Sequence, residues 1–255
     1  MIKYSLFIWI WLSMFPSAKA QDKIDDVTIS PIEHATFTLT WKGKTLLFDP
    51  SVEKAKLNKV KSPDFIFITD IHGDHFNISN LKNLDLSKST LVVPPAVAEQ
   101  LSDDLRKKSY IIRNGETTEL QNIKIEAIPM YNLPESSGTF HTKGRGNGYV
   151  ITLDNKRIYI SGDTEDIPEM RTLKDINIAF ICMNLPYTMT VKQAADATLA
   201  FKPQIVYPYH YRGQNGKSDI LSYKQLVNEK DPSIKVMIRD WYLSKPQTSE
   251  GQIIN

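Results

Sequence analysis

Short apolar runs separated by turn residues dominate the chain from residue 31 onward. Residues 36–41 alternate around Phe37 and Leu39, Lys42-Gly43-Lys44 makes a tight turn, and 45–48 returns as a second strand, so a hairpin is expected here. Residues 65–69 form a short run without polar alternation, the mark of a strand buried on both faces. The same reasoning predicts strands over 90–93, 111–113, 123–128, 149–153, 157–161, 178–183 and 205–209, with 235–238 as one more. Asp154-Asn155 turns the 149–153 and 157–161 pair. Helices are fewer. Residues 96–107 have a capped amphipathic pattern, and 222–229 form another helix. Between them, 190–201 open on the N-cap Thr190 and keep Val191, Ala194, Ala195, Ala197 and Leu199 for one apolar face. Residues 22–31 read as a loose polar lead-in, and no internal repeat is visible. Strands in runs, followed by strands with intervening helices, predict an α+β or layered α/β domain rather than strict βαβ alternation.

The first twenty residues stand apart. Lys3 supplies a positive start, Tyr4 to Phe15 are apolar except for Ser5 and Ser13, Pro16 ends the run, and Ala18-Lys19-Ala20 is a small-x-small cleavage pattern. These are the three parts of a secretory signal peptide, with the mature chain starting at Gln21 and residues 21–255 forming one domain. The apolar run is shorter than the roughly 18–20 residues that span a bilayer, and no cysteine near the cleavage point offers a lipid anchor. The expectation is an exported protein, periplasmic or secreted, with no membrane anchor after cleavage.

Composition narrows the chemistry. With 255 residues, 41% of them hydrophobic, the chain can bury a full core without staples. Its 31 Lys and Arg nearly balance 29 Asp and Glu, so no nucleic-acid binding is expected. The single cysteine, Cys182, rules out an intramolecular disulfide and a Cys-based zinc cluster, and reads as a buried free thiol in the apolar run 176–183. A metal site would have to use carboxylates and the five histidines.

Those histidines fall at strand ends. Thr69-Asp70-Ile71-His72-Gly73-Asp74-His75 directly follows the buried strand at 65–69 and puts four potential ligands within six residues. A sheet holds such a loop rigidly, as a metal site requires. Asp163 follows the strand at 157–161 in Ser161-Gly162-Asp163-Thr164, and His210 ends the strand at 205–209. His141 lies in the Gly-rich loop 140–148, His34 precedes the first hairpin, and Asp49-Pro50 ends its second strand. One sheet edge could gather these groups. Lys143 and Arg145, among Gly144, Gly146 and Gly148, offer either an anion-binding loop or a flexible exposed one.

An x-His-x-Asp-His cluster after a strand, then a His, then Gly-Asp-Thr, then a late strand-end His resembles the ligand order of the metallo-β-lactamase superfamily over nearly the whole mature chain. His34-Ala35-Thr36, Leu47-Phe48-Asp49-Pro50 and the stretch 184–190 look nearest the bacterial branch that includes L-ascorbate-6-phosphate lactonase and N-acylphosphatidylethanolamine phospholipase D. The resemblance implies a four-layer αββα sandwich with a binuclear site at the edge where the two sheets meet. It implies two divalent cations, zinc first, with manganese or iron as the other candidates. Asp70, His72 and His141 would hold one, Asp74, His75 and His210 the other, and Asp163 would bridge them. Two departures stand out. Asp70 replaces the first histidine of the motif, and an oxygen ligand favours harder ions. No histidine follows the strand at 123–128 closely, so the middle-ligand role passes to His141.

The resemblance further implies an exported hydrolase that generates hydroxide between the metals to attack an ester, lactone or phosphodiester, with Asp74 or Asp163 accepting its proton. His34, Asn184 and Tyr187 would line the pocket, and Asp49 would orient the ligand loop. The substrate would be a small molecule or lipid-derived; the oligomeric state is open. The alternatives are a non-catalytic binder with a degenerate first metal position at Asp70, or a β-lactam hydrolase.

Overall fold

A computed structural model describes residues 21–242 of the chain; the expected signal peptide, 1–20, and residues 243–255 lie outside the described residues. The first sheet orders its strands as they occur along the chain: β1 (Asp22–Ile24), β2 (Val27–Glu33), β3 (Thr36–Trp41), β4 (Lys44–Phe48), β5 (Phe65–Phe67), β6 (Thr90–Val93) and β7 (Ser109–Ile111). The second is built from β8 (Thr117–Leu120), β9 (Ile123–Met130), β10 (Gly146–Leu153), β11 (Lys156–Ile160), β12 (Ile178–Cys182) and β13 (Ile205–Tyr209). Beyond β13 a small hairpin of β14 (Arg212–Gly213) and β15 (Gly216–Lys217) stands alone, and β16 (Lys235–Val236) closes the second sheet beside β13. Helices α1 (Lys54–Leu57), α2 (Ile78–Lys82), α3 (Pro95–Ala98) and α4 (Asp103–Lys107) interrupt the first half, and α5 (Pro168–Arg171), α6 (Val191–Phe201) and α7 (Ile220–Lys230) the second. None of the described helices is long and apolar enough to cross a membrane.

The repeat that the sequence conceals exists in the topology. In each sheet four antiparallel strands lead into three parallel ones: β1 to β4 then β5 to β7, and β8 to β11 then β12, β13 and β16. The strand period of two explains the layering. Leu46, Phe48, Phe65 and Phe67 face the core between the sheets, where Phe37 stacks on Phe48 at 4.4 Å and on Phe180 of the other sheet at 4.4 Å. Their neighbours Leu47, Ile66, Ile68, Leu91 and Val93 face outward onto Leu57, Leu81, Val97 and Leu105 of α1 to α4. Ala194, Ala197 and Phe201 of α6, with Tyr223 and Val227 of α7, join the main core behind the second sheet. This is the expected αββα sandwich.

Four expectations need correction. Residues 22–31 are not a loose lead-in but β1 and most of β2, because Val27 and Ile29 alternate inward while Thr28 and Ser30 take the outer face. The helix expected over 96–107 breaks at Ser102, which is extended and starts α4 with Asp103 and Asp104 in its first turn. The strand expected at 111–113 lies at Ser109–Ile111, an edge that leaves Tyr110 and Ile111 exposed. Finally, Gly146 to Gly148 belong to β10 rather than to a loop. The expected N-cap Thr190 does open α6, in a full capping box with Gln193.

Candidate metal centre

The ends of β4, β5, β11, β12 and β13, with the β2–β3 turn and the β9–β10 loop, meet at one edge of the sandwich. Parallel pairing puts the carboxyl ends of β4 and β5 side by side, and those of β11, β12 and β13 opposite them. Asp49 after β4, Asp70 to His75 after β5, Asp163 after β11, Asn184 after β12 and His210 after β13 are all carried there. Three of these edge residues, His34, Asp49 and His210, hold left-handed backbone at φ 57°, 40° and 45°. Such conformations cost a non-glycine residue about 1–2 kcal/mol and cluster at functional sites. Gly162, at φ 61°, turns the chain into Asp163 where a Cβ would meet Met130 Sδ at 2.7 Å.

Asp49 is wholly buried and holds the ligand loop. Its Oδ1 accepts the Thr69 backbone N–H at 2.8 Å; its Oδ2 accepts the Thr69 hydroxyl at 2.8 Å and His75 Nδ1–H at 2.9 Å. That pairing leaves the Nε2 lone pair of His75 to face the site. His75 Nε2 lies 3.1 Å from His210 Nε2, 3.4 Å from Asp163 Oδ2 and 3.9 Å from Asp74 Oδ1. His210 Nε2 is 3.3 Å from Asp163 Oδ1 and 3.4 Å from Asp74 Oδ2. His75, Asp163 and His210 bring donor atoms within 4.8 Å of one another, and His34, Asp74 and His210 do the same beside them, the spacing of ligands about a cation with bonds of about 2.0–2.2 Å. Asp163 Oδ1, though buried, makes no hydrogen bond.

Charge points the same way. Burial works against both ionised carboxylates, yet the imidazoles of His210, His75 and His141 hold Asp163 well below the ordinary carboxylate range, and those of His75, His210 and His34 do so for Asp74. Burial also opposes a charged His75, but Asp163, Asp49 and Asp74 raise its pKa well above the usual imidazole value. The pocket therefore demands positive charge, and a divalent cation on Asp74, His75, Asp163 and His210 meets that demand. These residues fit a metal ion.

The second expected position differs. Asp70, His72 and His141 do converge, with donor atoms within 4.8 Å of one another. His72 Nδ1 lies 2.8 Å from Asp70 Oδ2, and His141 Nε2 lies 3.3 Å from Asp163 Oδ2 and 3.9 Å from Asp70 Oδ2. His141 Nε2 is buried without a hydrogen bond. Asp70, however, is gripped by Arg145, whose Nε donates to Oδ1 at 3.1 Å and Nη2 to Oδ2 at 2.9 Å. Burial opposes ionisation of Asp70, but His72, His75 and Arg145 lower its pKa.

The beta-lactamase superfamily domain matches residues 28–210. The chain belongs to the metallo-β-lactamase superfamily. It is similar to UPF0173 metal-dependent hydrolases: 28% identical over 214 residues to that of Pyrococcus abyssi, covering 80% of this chain and 93% of the relative. To that of Thermoplasma acidophilum it is 32% identical over 190 residues, covering 70% and 80%. A crystal structure assigned as a metal-dependent hydrolase, from Parabacteroides distasonis, superposes with a TM-score of 0.77 at 36% identity, covering 87% of this chain and 99% of that one. The αββα layering is the superfamily's fold, and the relatives this chain matches over most of its length are metal-dependent hydrolases.

Within that superfamily frame, the pocket residues expected from the sequence divide. His34 Nε2–H donates to Asp74 Oδ2 at 3.2 Å and its Nδ1 meets the Tyr242 hydroxyl at 2.8 Å. Burial, then the neighbouring His210, pushes its pKa down to about 4, so His34 is neutral and positions Asp74. Asn184 Nδ2 reaches Asp163 Oδ2 at 3.4 Å while its Oδ1 accepts the Thr188 hydroxyl at 2.7 Å. Tyr187 sits at the rim, its ring edge-on to Phe140 at 4.9 Å. The anion-binding loop is not formed: Arg145 is spent on Asp70, and Lys143 lies 2.9 Å from Glu169 and 3.3 Å from Glu135.

Sequence reasoning missed Asn132, Tyr242 and the task of Arg145. Asn132 is what brings the distant His141 home. Its backbone N–H donates to the His141 carbonyl at 2.9 Å, and its Oδ1 accepts the His141 N–H at 2.7 Å and lies 3.2 Å from Nδ1. The excursion 133–140 is closed by this pair, so a ligand far along the chain reaches the expected place. Asn132 alone, in an unremarkable Tyr-Asn-Leu stretch, carried no signal of this.

Proposed function

We propose that the chain is an exported hydrolase that opens an ester, lactone or phosphodiester bond in a small-molecule or lipid-derived substrate, using a divalent cation held by Asp74, His75, Asp163 and His210. The observation that carries this reading is the convergence of His75, Asp163 and His210 within 4.8 Å, with Asp74 Oδ2 3.4 Å from His210 Nε2 and a buried, hydrogen-bond-free oxygen of Asp163 among them. Zinc suits two imidazoles with two carboxylates. When bound, the cation lowers the pKa of a water toward about 7 and polarises the bond under attack.

The chain's own residues do the rest. Asp49 fixes His75 in the tautomer that presents Nε2, and Asn184 fixes Asp163. Asp74 is steadied by His34 Nε2–H and is 44% exposed, so of the two carboxylates Asp74 is the one placed to reach the attacking water and take its proton. Buried Asp163 has no such access. Next to His141, Phe140 is 51% exposed with its ring edge-on to Tyr187 at 4.9 Å, an exposed aromatic pair that favours a substrate with an apolar group and a lactonase- or phospholipase-like reading. Export rests on the signal pattern of residues 1–20.

The test is a panel of nitrophenyl esters, lactones, bis(nitrophenyl) phosphate and a β-lactam, run on zinc-loaded protein and on Asp163→Asn. Turnover of the first three classes, lost together with bound zinc in the variant, is expected. Full activity in Asp163→Asn removes the assignment; turnover of the β-lactam alone, or of nothing, replaces it with the lactamase or the binder.

A further inference from the structure

We propose that the Arg145 guanidinium is the resident cation of the Asp70–His72–His141 position, so that this centre holds one metal ion rather than two. The inference rests on reading the four-ligand position as a metal site. The guanidinium takes both oxygens of Asp70, Nε on Oδ1 at 3.1 Å and Nη2 on Oδ2 at 2.9 Å. Nη2 also donates to the Phe140 carbonyl at 2.7 Å and stands 3.5 Å from His72 Nε2. His72 Nδ1, 2.8 Å from Asp70 Oδ2, supplies a third donor to the same carboxylate. Asp70 is fully buried and the Arg145 side chain only 19% exposed, so this is a fixed internal pair rather than a surface contact.

The backbone builds the pair. The Asn147 N–H donates to the Thr69 carbonyl at 2.9 Å, and Gly146 packs so closely that a Cβ would meet that same oxygen at 2.7 Å. The start of β10 is therefore clamped one residue from Asp70, which sets Arg145 beside that carboxylate. Charge separates the two positions. Asp74 and Asp163 leave two negative charges for a cation to neutralise; Asp70 is already balanced by Arg145, and a divalent ion there would face a guanidinium. The pairing also gives a reason for aspartate at position 70: a guanidinium fork matches two carboxylate oxygens and has no counterpart on an imidazole.

The experiment counts metal per chain by mass spectrometry after dialysis of the purified protein against excess zinc, with cobalt titration calorimetry as a second count. One equivalent is expected in the wild type, rising to two in Arg145→Ala or in the Asp70→His, Arg145→Ala double variant. Two equivalents in the wild type overturn the inference and leave the metal centre standing. No metal at all overturns both. If both variants are folded by circular dichroism and still hold one equivalent, arginine is not what excludes the second ion and the inference falls. If neither variant folds, the wild-type count decides alone.

Discussion

Asp49→Asn tests how the fold sets the chemistry of His75. The substitution keeps the shape of the side chain, and the Thr69 backbone N–H forces the amide oxygen into the place of Oδ1, 2.8 Å away. The amide nitrogen must then occupy the place of Oδ2, facing His75 Nδ1 at 2.9 Å with a donor where an acceptor stood. His75 answers by moving its proton to Nε2, the atom that lies among Asp163, Asp74 and His210. A protonated Nε2 cannot ligate. Loss of a carboxylate behind a ligating histidine typically lowers metal affinity 10–100-fold, about 1.4–2.7 kcal/mol. Asp49→Ala is harsher, because Thr69 N–H and the Thr69 hydroxyl lose their acceptor in a buried site, at about 1–3 kcal/mol each, and His75 Nδ1–H keeps only Thr69 Oγ1, 3.0 Å away. Zinc affinity by chelator competition and stability by urea unfolding separate the two effects. Asp49→Asn is expected to bind zinc at least tenfold more weakly and to lower the unfolding midpoint of the apoprotein by less than Asp49→Ala does. Wild-type affinity in Asp49→Asn would show that Asp49 does not choose the tautomer, and the reasoning would fail.

Zinc binding at pH 7 should release about one proton, because the cation takes the place of the proton that three carboxylates hold on His75; calorimetry in two buffers of different ionisation enthalpy measures it. The raised His75 pKa stabilises the apoprotein fully below about pH 6.5 and less as pH climbs toward the folded value, so the apo melting temperature should fall above pH 6.5, and a flat profile would contradict the field described. Asp163 has the opposite sign: its lowered pKa contributes above about pH 4 and is lost as pH drops through the folded value. Gly162→Ala puts a Cβ at φ 61° and 2.7 Å from Met130 Sδ, and should cost about 2–4 kcal/mol by urea unfolding. N-terminal sequencing of the protein expressed from its full-length chain in a bacterial host should begin at Gln21; an intact Met1 would remove the signal reading.

Local chemistry made much of this protein legible as a string. Strands at 36–41, 90–93 and 205–209 are announced by short apolar runs between turns, and α6 by its cap, because burial on a pleated or helical face leaves a period in the sequence. The same logic singled out the candidate ligands: His and Asp at the ends of buried strands are costly unless something holds them there, and the structure gathers them at one edge of the sandwich. Alternation counted on polar residues hid β1 and β2, since Thr and Ser on an outer face look like a loop. The topological repeat of the two sheets left no trace in residue types, because pairing direction is set by connections and not by composition. What the tertiary structure alone decided is which groups share a charge. Asp70 and Arg145 are 75 residues apart, and His141 and Asn132 nine. Only folding brings each pair within hydrogen-bond range, and only there, in a buried site where a charge must find its partner, does it become clear that one aspartate serves a guanidinium while its neighbours are left to hold a metal.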